Sequence, residues 1–280
     1  MERLKNRKIE IFKKASLSRN FENSVFEKVK QKVIQLPVYL SAGQEYTSAT
    51  ISKICEDKQI KPMLFAQHRA HSTYINFGGA IDELIDELLG RETGCTYGMG
   101  GSASIHSKKI DMYGHDGLMG SQVPIAVGAA YSSKRPTITF MGDASAEEDY
   151  VLGALGWAST KKLPIIFIVE DNNLSILTEK KVRRNWEMDD VARSFKMKAW
   201  NIDDEPEKIL ELEEYFFKEP ILINVRTNRL FWHSGAGIDS DQTFDRHLEQ
   251  RNMLGEIAEK IEMENKIFIE ELWKKQLDKQ

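Results

Sequence analysis

Residues 137–172, TITFMGDASAEEDYVLGALGWASTKKLPIIFIVEDN, decide the fold. Pro136 to Met141 reads as a buried strand, and from Ala146 the apolar residues Tyr150, Val151, Ala154, Leu155 and Ala158 recur at helical spacing until Pro164 interrupts. Ile165 to Val169 is a second strand, apolar at every position. Continuous apolar strands joined by a helix predict parallel neighbours covered on both faces. In such a sheet, ligands bind at the carboxyl ends of the strands. One strand ends in Gly142-Asp143-Ala144-Ser145, the other in Glu170-Asp171-Asn172-Asn173-Leu174-Ser175. An aspartate oxygen, an asparagine amide oxygen and a freed backbone carbonyl form a hard-oxygen set suited to Mg²⁺, which usually keeps phosphate oxygens and water as well. A helix starting after Ala144 turns its positive end toward an anion, and small residues let the backbone approach it. Asp143 alone has a plainer reading, as a helix cap.

Outward from this unit the alternation continues. Residues 1–35 predict a charged helix closed by Pro37, followed by a helix from Gln44 to Glu56, a short strand at 63–66 and a helix from Ile81 to Leu89 stopped by Gly90. From Gly94 to Gly120 glycine, serine and histidine dominate without periodicity, a loop long enough to imply that it binds something. Beyond it come a helix at 123–132, then, after the central unit, a helix at 188–195, a strand at 197–202, a helix at 206–217, a strand at 221–225 and a helix over 243–275. The expected fold is α/β, a mostly parallel sheet with helices on both faces. Its main domain spans 37–240, between an N-terminal helical segment (1–36) and a C-terminal one (241–280).

Composition removes several classes. The net charge of −4 and pI near 6.0 do not mark a nucleic-acid binder, and the basic residues of the first helix interleave with Ile9, Phe12, Leu17, Phe21 and Val25 as a solvated amphipathic face does. No apolar run reaches the roughly 18 residues of a membrane span, and the start lacks a signal-peptide core, so a cytoplasmic protein is expected. Cys55 and Cys95 form neither a disulfide framework nor a CxxC pair. Gly98-Met-Gly-Gly-Ser-Ala103 fits a dinucleotide fingerprint in letters only, because no strand precedes it.

Several stretches, in order, carry a resemblance: YLSAGQEY (39–46), Gln67-His68-Arg69, LLGRETGCTYGMGGS (88–102), GLMGSQVPIAVGAAYSSK (117–134), KKLPIIFIVEDNNLSILT (161–178) and TNRLFWHSG (227–235). Together with the spacing from Gly142-Asp143 to Asn172-Asn173, the chain resembles the α subunit of the thiamin diphosphate-dependent E1 component of 2-oxo acid dehydrogenases, the pyruvate, acetoin and branched-chain type.

The resemblance implies a thiamin diphosphate-binding fold and a set of roles. Asp143 and Asn172 would hold Mg²⁺ through side chains and Leu174 through its carbonyl. Gly142, Ala144, Ser145 and Ser175 would line the cradle. Arg69 would bind the diphosphate with Gln67 and His68 beside it. Gly117 and Met119 would meet the aminopyrimidine, Met119 as the wedge that bends the cofactor. His233 and Arg229 would close over it, with His233, His71 and His106 as the candidate catalytic histidines and His71 a support for Arg69 or the loop. The chain departs from the family at Ala144 (usually Gly), His68 (commonly Tyr), Tyr39 (His in several members), Ser104 (His, with His106 as a stand-in) and Trp232 (frequently Gly).

The implied reaction is decarboxylation of a 2-oxo acid. The activating glutamate would come from a β-type subunit in an α₂β₂ heterotetramer, and a lipoyl-bearing acyltransferase would take the acyl unit. A thiamin-dependent carboligase or non-oxidative decarboxylase shares every one of these residues, and a catalytically inactive relative with a binding role is the remaining alternative.

Overall fold

The computed structural model describes residues 2–239 and 244–279. In chain order, α1 is Glu2–Lys30 and α2 Glu45–Asp57, then β1 Met63–Phe65, α3 His71–Asn76, α4 Ile81–Leu88, β2 Met112–Tyr113, α5 Gln122–Ser133 and β3 Thr137–Gly142. There follow α6 Asp149–Lys161, β4 Ile165–Asp171, the short β5 Leu174–Ser175 and β6 Thr178–Glu179, α7 Lys180–Arg183 and α8 Met188–Ser194. The chain continues through β7 Lys198–Asp203, α9 Pro206–Leu210, β8 Ile221–Arg226, α10 Arg246–Leu254 and α11 Glu256–Leu277.

Six strands form one sheet in the order β2-β1-β3-β4-β8-β7, and every pairing is parallel. The continuous apolar runs are explained by burial on both sides. Along β4, Ile166 and Ile168 face a core shared with α1, α2 and α4, whereas Ile165, Phe167 and Val169 face a second core shared with α5, α6 and α8. Both ends of the chain enter the first core. Ile11, Phe12 and Phe21 of α1 and Ile269 and Trp273 of α11 pack in it, so the N- and C-terminal helices close one face of the sheet.

After β1 the chain steps outward to β2 and returns on the other side as β3. That reversal opens a crevice between the carboxyl ends of β1 and β3, where ligands bind in open parallel sheets.

Several expected elements differ. The helix expected from residue 146 begins as a 3₁₀ turn at Ser145–Glu147, and α6 proper starts at Asp149, so no long helix points its first turn at Asp143. The expected helix at 206–217 is α9 and a separate 3₁₀ turn, Glu213–Tyr215. The C-terminal helix is two, because Gly255 takes φ 57° and ψ −133°, a conformation that stops α10 and that a side chain disfavours. The expected domain end at Ser240, the segment start at Asp241 and the helix start at Thr243 lie outside the described residues. The 94–120 loop contains β2, which pairs with β1 at the sheet edge. No helix of the described residues is long and apolar enough to cross a membrane.

Candidate functional site

A cavity of about 220 Å³ opens at the carboxyl ends of β1, β3 and β4. Parallel pairing of β3 and β4 in the register Gly142↔Glu170 sets the two turns side by side. Asp143, Ala144 and Ser145 line the cavity from β3, Asn172, Leu174 and Ser175 from β4, and Gln67, His68 and Arg69 from β1. Met119 reaches it from the loop before α5, and His233 from the loop after β8.

The β3–β4 side is built of oxygens. Asp143 is buried, and burial, then neighbouring Asp171, pushes its carboxyl up to about 6 against the pull of Arg183, whose guanidinium binds Asp143 Oδ2. Arg184 donates to the Asp143 carbonyl at 3.0 Å. Asn172 Oδ1 accepts from Leu174 N at 3.1 Å while its Nδ2 donates to Gln44 Oε1 at 2.9 Å, which fixes the amide orientation. Asn173 turns the chain at φ +66°, a conformation asparagine tolerates.

The β1 side is cationic and imidazole-rich. Arg69 is 4 % exposed, donates through Nη1 to Leu40 O at 2.9 Å and lies with Nη2 3.3 Å from His233 Nδ1. Burial, then Arg229, lowers Arg69 to about 10. Burial followed by Arg69 lowers His233 to about 4, so its imidazole is neutral. His68 is pushed down to about 2 by burial and then by Arg69.

Between the two walls lies Glu170, buried and hydrogen-bonded by Gln67 Nε2, with Gln44 Nε2 at 3.4 Å. Burial pushes its carboxyl up to about 8, which makes it a neutral acid at pH 7.

The remaining candidates sit elsewhere. Arg229 is 1 % exposed and faces away from the cavity: Nε donates to Asp239 at 2.7 Å and Nη2 to Ile176 O at 2.9 Å, tying two rim loops together. His71 is enclosed, with Nδ1 3.3 Å from Glu22 Oε2 and Nε2 2.9 Å from Ser102 Oγ, so it braces the 94–120 loop and does not reach the cavity. His106 pairs with Ser104 Oγ at 3.2 Å and accepts from Gly114 N, beside a different groove lined by Cys95, Met99 and Tyr113. Gly117, at φ +104°, is exposed and not among the lining residues. Met119 lines the cavity, and its carbonyl accepts from Tyr150 OH.

Sequence reasoning gave no role to Glu170, Gln44, Arg183 or Arg184. A carboxylate ending a wholly apolar strand was a signal for Glu170; the two arginines follow an unpredicted hairpin, β5–β6, and carried none.

These residues fit a Mg²⁺–diphosphate group. The β3–β4 side offers oxygen donors, the β1 side a guanidinium, and both ring nitrogens of buried His68 lack a partner. No group of three His, Cys, Asp or Glu side chains among the described residues could hold a metal by itself.

The fold has known counterparts. Transketolase from Leishmania mexicana matches with a TM-score of 0.59 at 15% identity, over 96% of this chain and 47% of its own. Transketolase from Campylobacter jejuni gives 0.57 at 17% identity, over 96% and 48%. The chain thus spans about half the length of these enzymes. In sequence, the profile of the family described as dehydrogenase E1 component matches residues 13–276. The pyruvate dehydrogenase E1 component subunit alpha of Rickettsia bellii is 29% identical over 246 residues, covering 82% of this chain and 74% of the relative. That of Rickettsia conorii is 31% identical over 241 residues, 81% and 72% respectively.

Fold and site define an α/β domain of the thiamin diphosphate-binding class. Within that class, the chain belongs to the dehydrogenase E1 component family and resembles its α subunits.

Proposed function

We propose that this chain is the α subunit of a thiamin diphosphate- and Mg²⁺-dependent E1 enzyme that decarboxylates a 2-oxo acid and passes on the acyl unit, completed by a β-type subunit. The observation that carries the reading is the meeting of Asp143, Asn172 and Leu174 with Gln67, Arg69 and His233 around one cavity at the switch in strand order.

Asp143, Asn172 and the Leu174 carbonyl would hold the metal, and Arg69 the diphosphate, for which a guanidinium fork is suited. Thiamin diphosphate, when bound, supplies the electron sink that decarboxylation of a 2-oxo acid requires. The protein's residues do the rest. His233 lines the cavity, neutral and oriented by Arg69 on Nδ1, which leaves its Nε2–H as a hydrogen-bond donor. Arg229 and Asp239 hold the rim loops in place so that this donor stays aimed. Gln67 and Gln44 fix Glu170 in the lining between the two walls.

Exposed Tyr97, Met99, Leu118 and Met119 around the 94–120 loop support a further part of the reading, that the β-type subunit docks here and supplies the pyrimidine-activating glutamate. A lipoyl-bearing acyltransferase as acceptor and a cytoplasmic location belong to the same proposal, as does the division into 1–36, 37–240 and 241–280.

The test is the thermal midpoint of the chain, alone and co-purified with a β-type subunit, with and without thiamin diphosphate plus Mg²⁺. At about 100 times the dissociation constant, roughly 2.7 kcal/mol of stabilisation is expected. Absence of any shift in both preparations overturns the reading.

A further inference from the structure

Asp143 and Leu174 stand on different segments, the turn after β3 and the β5–β6 hairpin, and one arginine joins those segments. The hairpin pairs Leu174 with Glu179 and Ser175 with Thr178 and runs directly into α7. Lys180 closes it: its backbone N donates to Asn173 O at 2.9 Å and its Nζ to Asp171 Oδ2 at 2.7 Å. At the end of α7, Arg183 Nη2 donates to Asp143 Oδ2, and the next residue, Arg184, donates through Nη1 to the Asp143 carbonyl at 3.0 Å.

Both guanidiniums are held. The side chain of Arg183 is 14 % exposed and that of Arg184 1 %. Glu147 Oε1 lies 3.2 Å from Arg183 Nη1 and 3.3 Å from Arg184 Nη1, and the Arg184 guanidinium sits 4.7 Å from the centre of the Trp186 ring. Asp143 lines the cavity and neither arginine does, so both reach it from outside the lining. With Oδ2 engaged, Oδ1 is the oxygen that Asp143 can offer to an ion.

Coordination chemistry says what this does to the ion. Ca²⁺ takes about six to eight oxygens in flexible geometry and readily binds both oxygens of one carboxylate, whereas Mg²⁺ is smaller and demands near-ideal octahedral geometry. Asn172 has a single amide oxygen and Leu174 a single carbonyl, so of the three proposed ligands Asp143 alone could bind through two oxygens. Arg183 withholds the second one. Hydrogen-bond partners of metal ligands orient those ligands and tune the ion they accept.

We propose that Arg183 is a positioning residue of the metal site: by holding Asp143 Oδ2 it makes that carboxylate a one-oxygen ligand, and the site thereby selects Mg²⁺ over Ca²⁺. This rests on the E1 reading above and adds to it the residue that sets the ion preference. Arg184 and Glu147 fix the guanidinium, and the hairpin carries the restraint from Asp143 to the Leu174 carbonyl.

The experiment uses the full chain assembled with its β-type subunit. Thiamin diphosphate affinity is measured by calorimetry with Mg²⁺ and, separately, with Ca²⁺, for wild type, Arg183→Met and Arg183→Lys. Wild type is expected to prefer Mg²⁺. Arg183→Met should move the ratio of the two affinities roughly tenfold toward Ca²⁺, and Arg183→Lys, which keeps a donor and the charge, should recover part of the shift. A guanidinium that merely occupies the place of an ion would be expelled on loading, and its removal would raise both affinities equally. An unchanged ratio in Arg183→Met therefore overturns the assignment and leaves the E1 reading intact, whereas failure of wild type to bind thiamin diphosphate with either ion overturns both. A second readout needs no methionine variant. In ¹⁵N-arginine-labelled wild type, a guanidinium resonance identified by its loss in Arg183→Lys should persist when thiamin diphosphate and Mg²⁺ bind, and its disappearance on loading overturns the assignment. If Arg183→Met does not fold, that resonance and the ion preference of Arg183→Lys decide.

Discussion

Arg69 Nη2 lies 3.3 Å from His233 Nδ1, joining the turn after β1 to the loop after β8 across the mouth of the cavity. Because a guanidinium can only donate, Nδ1 must accept, and the proton sits on Nε2. Burial and then Arg69 hold His233 down at about 4. The unfolded chain, with an ordinary histidine near 6.5, binds more protons than the native state between about pH 4 and 6.5, so this residue's contribution to stability is present above that window and is lost as pH falls through it. The expected measurement is a His233 ring NMR shift that stays flat from pH 5.5 to 8; a titration midpoint near 6.5 refutes the contact. His233→Ala should retain the midpoint shift with thiamin diphosphate and lower kcat of the assembled enzyme by about two to three orders of magnitude.

Asp143 is the one side-chain carboxylate among the proposed metal ligands, and Arg183 is its partner on α7. Asp143→Asn preserves shape and removes the charge. Its thermal midpoint without cofactor should stay near or below wild type, since Arg183 loses its counter-charge. The gain from thiamin diphosphate plus Mg²⁺, roughly 2.7 kcal/mol in wild type at about 100 times the dissociation constant, should vanish at the same concentration. A mutant that gains as much as wild type removes Asp143 from the metal site.

Glu87 organises the glycine-rich loop. Its Oε2 accepts from Thr96 N at 2.7 Å and Gly98 N at 2.9 Å, and its Oε1 from Gly100 N and Gly101 N at 2.8 Å each. Ser102, next in the chain, bonds His71 and accepts from Tyr39 N, so the loop that precedes Met119 hangs on one carboxylate. Burial raises the Glu87 pKa, but the backbone donors outweigh it and hold the group below its ordinary value. The stabilisation is then present above the unfolded pKa of about 4.3 and lost as pH falls through the lower native value. Glu87→Gln should cost on the order of 2–3 kcal/mol at pH 7, and the gap in thermal midpoint should close below about pH 4. A gap that is constant down to pH 3 would show that charge has no part in it.

What could be read from the sequence followed burial. β3, β4 and β8 were legible because strands covered on both faces are apolar at most positions, as Ile165–Val169 is throughout. Asp143 and Asn172 were legible because polar residues that end such strands stand out, and the structure brings them to one cavity. β2 was missed because two residues at a sheet edge, Met112 and Tyr113, carry no period. The break at Gly255 was missed because Leu254 before it and Ala258 and Ile261 after it pack on the same core. Arg229, His71 and His106 stand near the site in sequence, but their polar contacts, to Asp239, to Glu22 of α1 and Ser102, and to Ser104, are visible only in the folded chain. Glu170 was hidden for the opposite reason: its burial, and hence its neutral form, depends on Gln44 and Gln67 from distant elements.

The terminal helices are held by a buried charge cluster whose cost and gain can be separated. Arg19 of α1 reaches Glu45 Oε1 at 2.5 Å and both oxygens of Asp245 at 2.7 and 2.9 Å, joining α1, the start of α2 and the residue that caps α10. Arg19→Met keeps the stem's packing but leaves Glu45, 0 % exposed, without its cation. Removing one partner of a buried pair costs about 3–5 kcal/mol, whereas replacing the whole set by apolar groups is often neutral. Arg19→Met alone should therefore lower the urea midpoint strongly with an unchanged m-value, and the triple variant Arg19→Met, Glu45→Leu, Asp245→Asn should recover most of the loss. If the triple variant is as unstable as the single one, the cluster contributes specific geometry that apolar packing cannot replace, and the attachment of the terminal helices rests on the charges themselves.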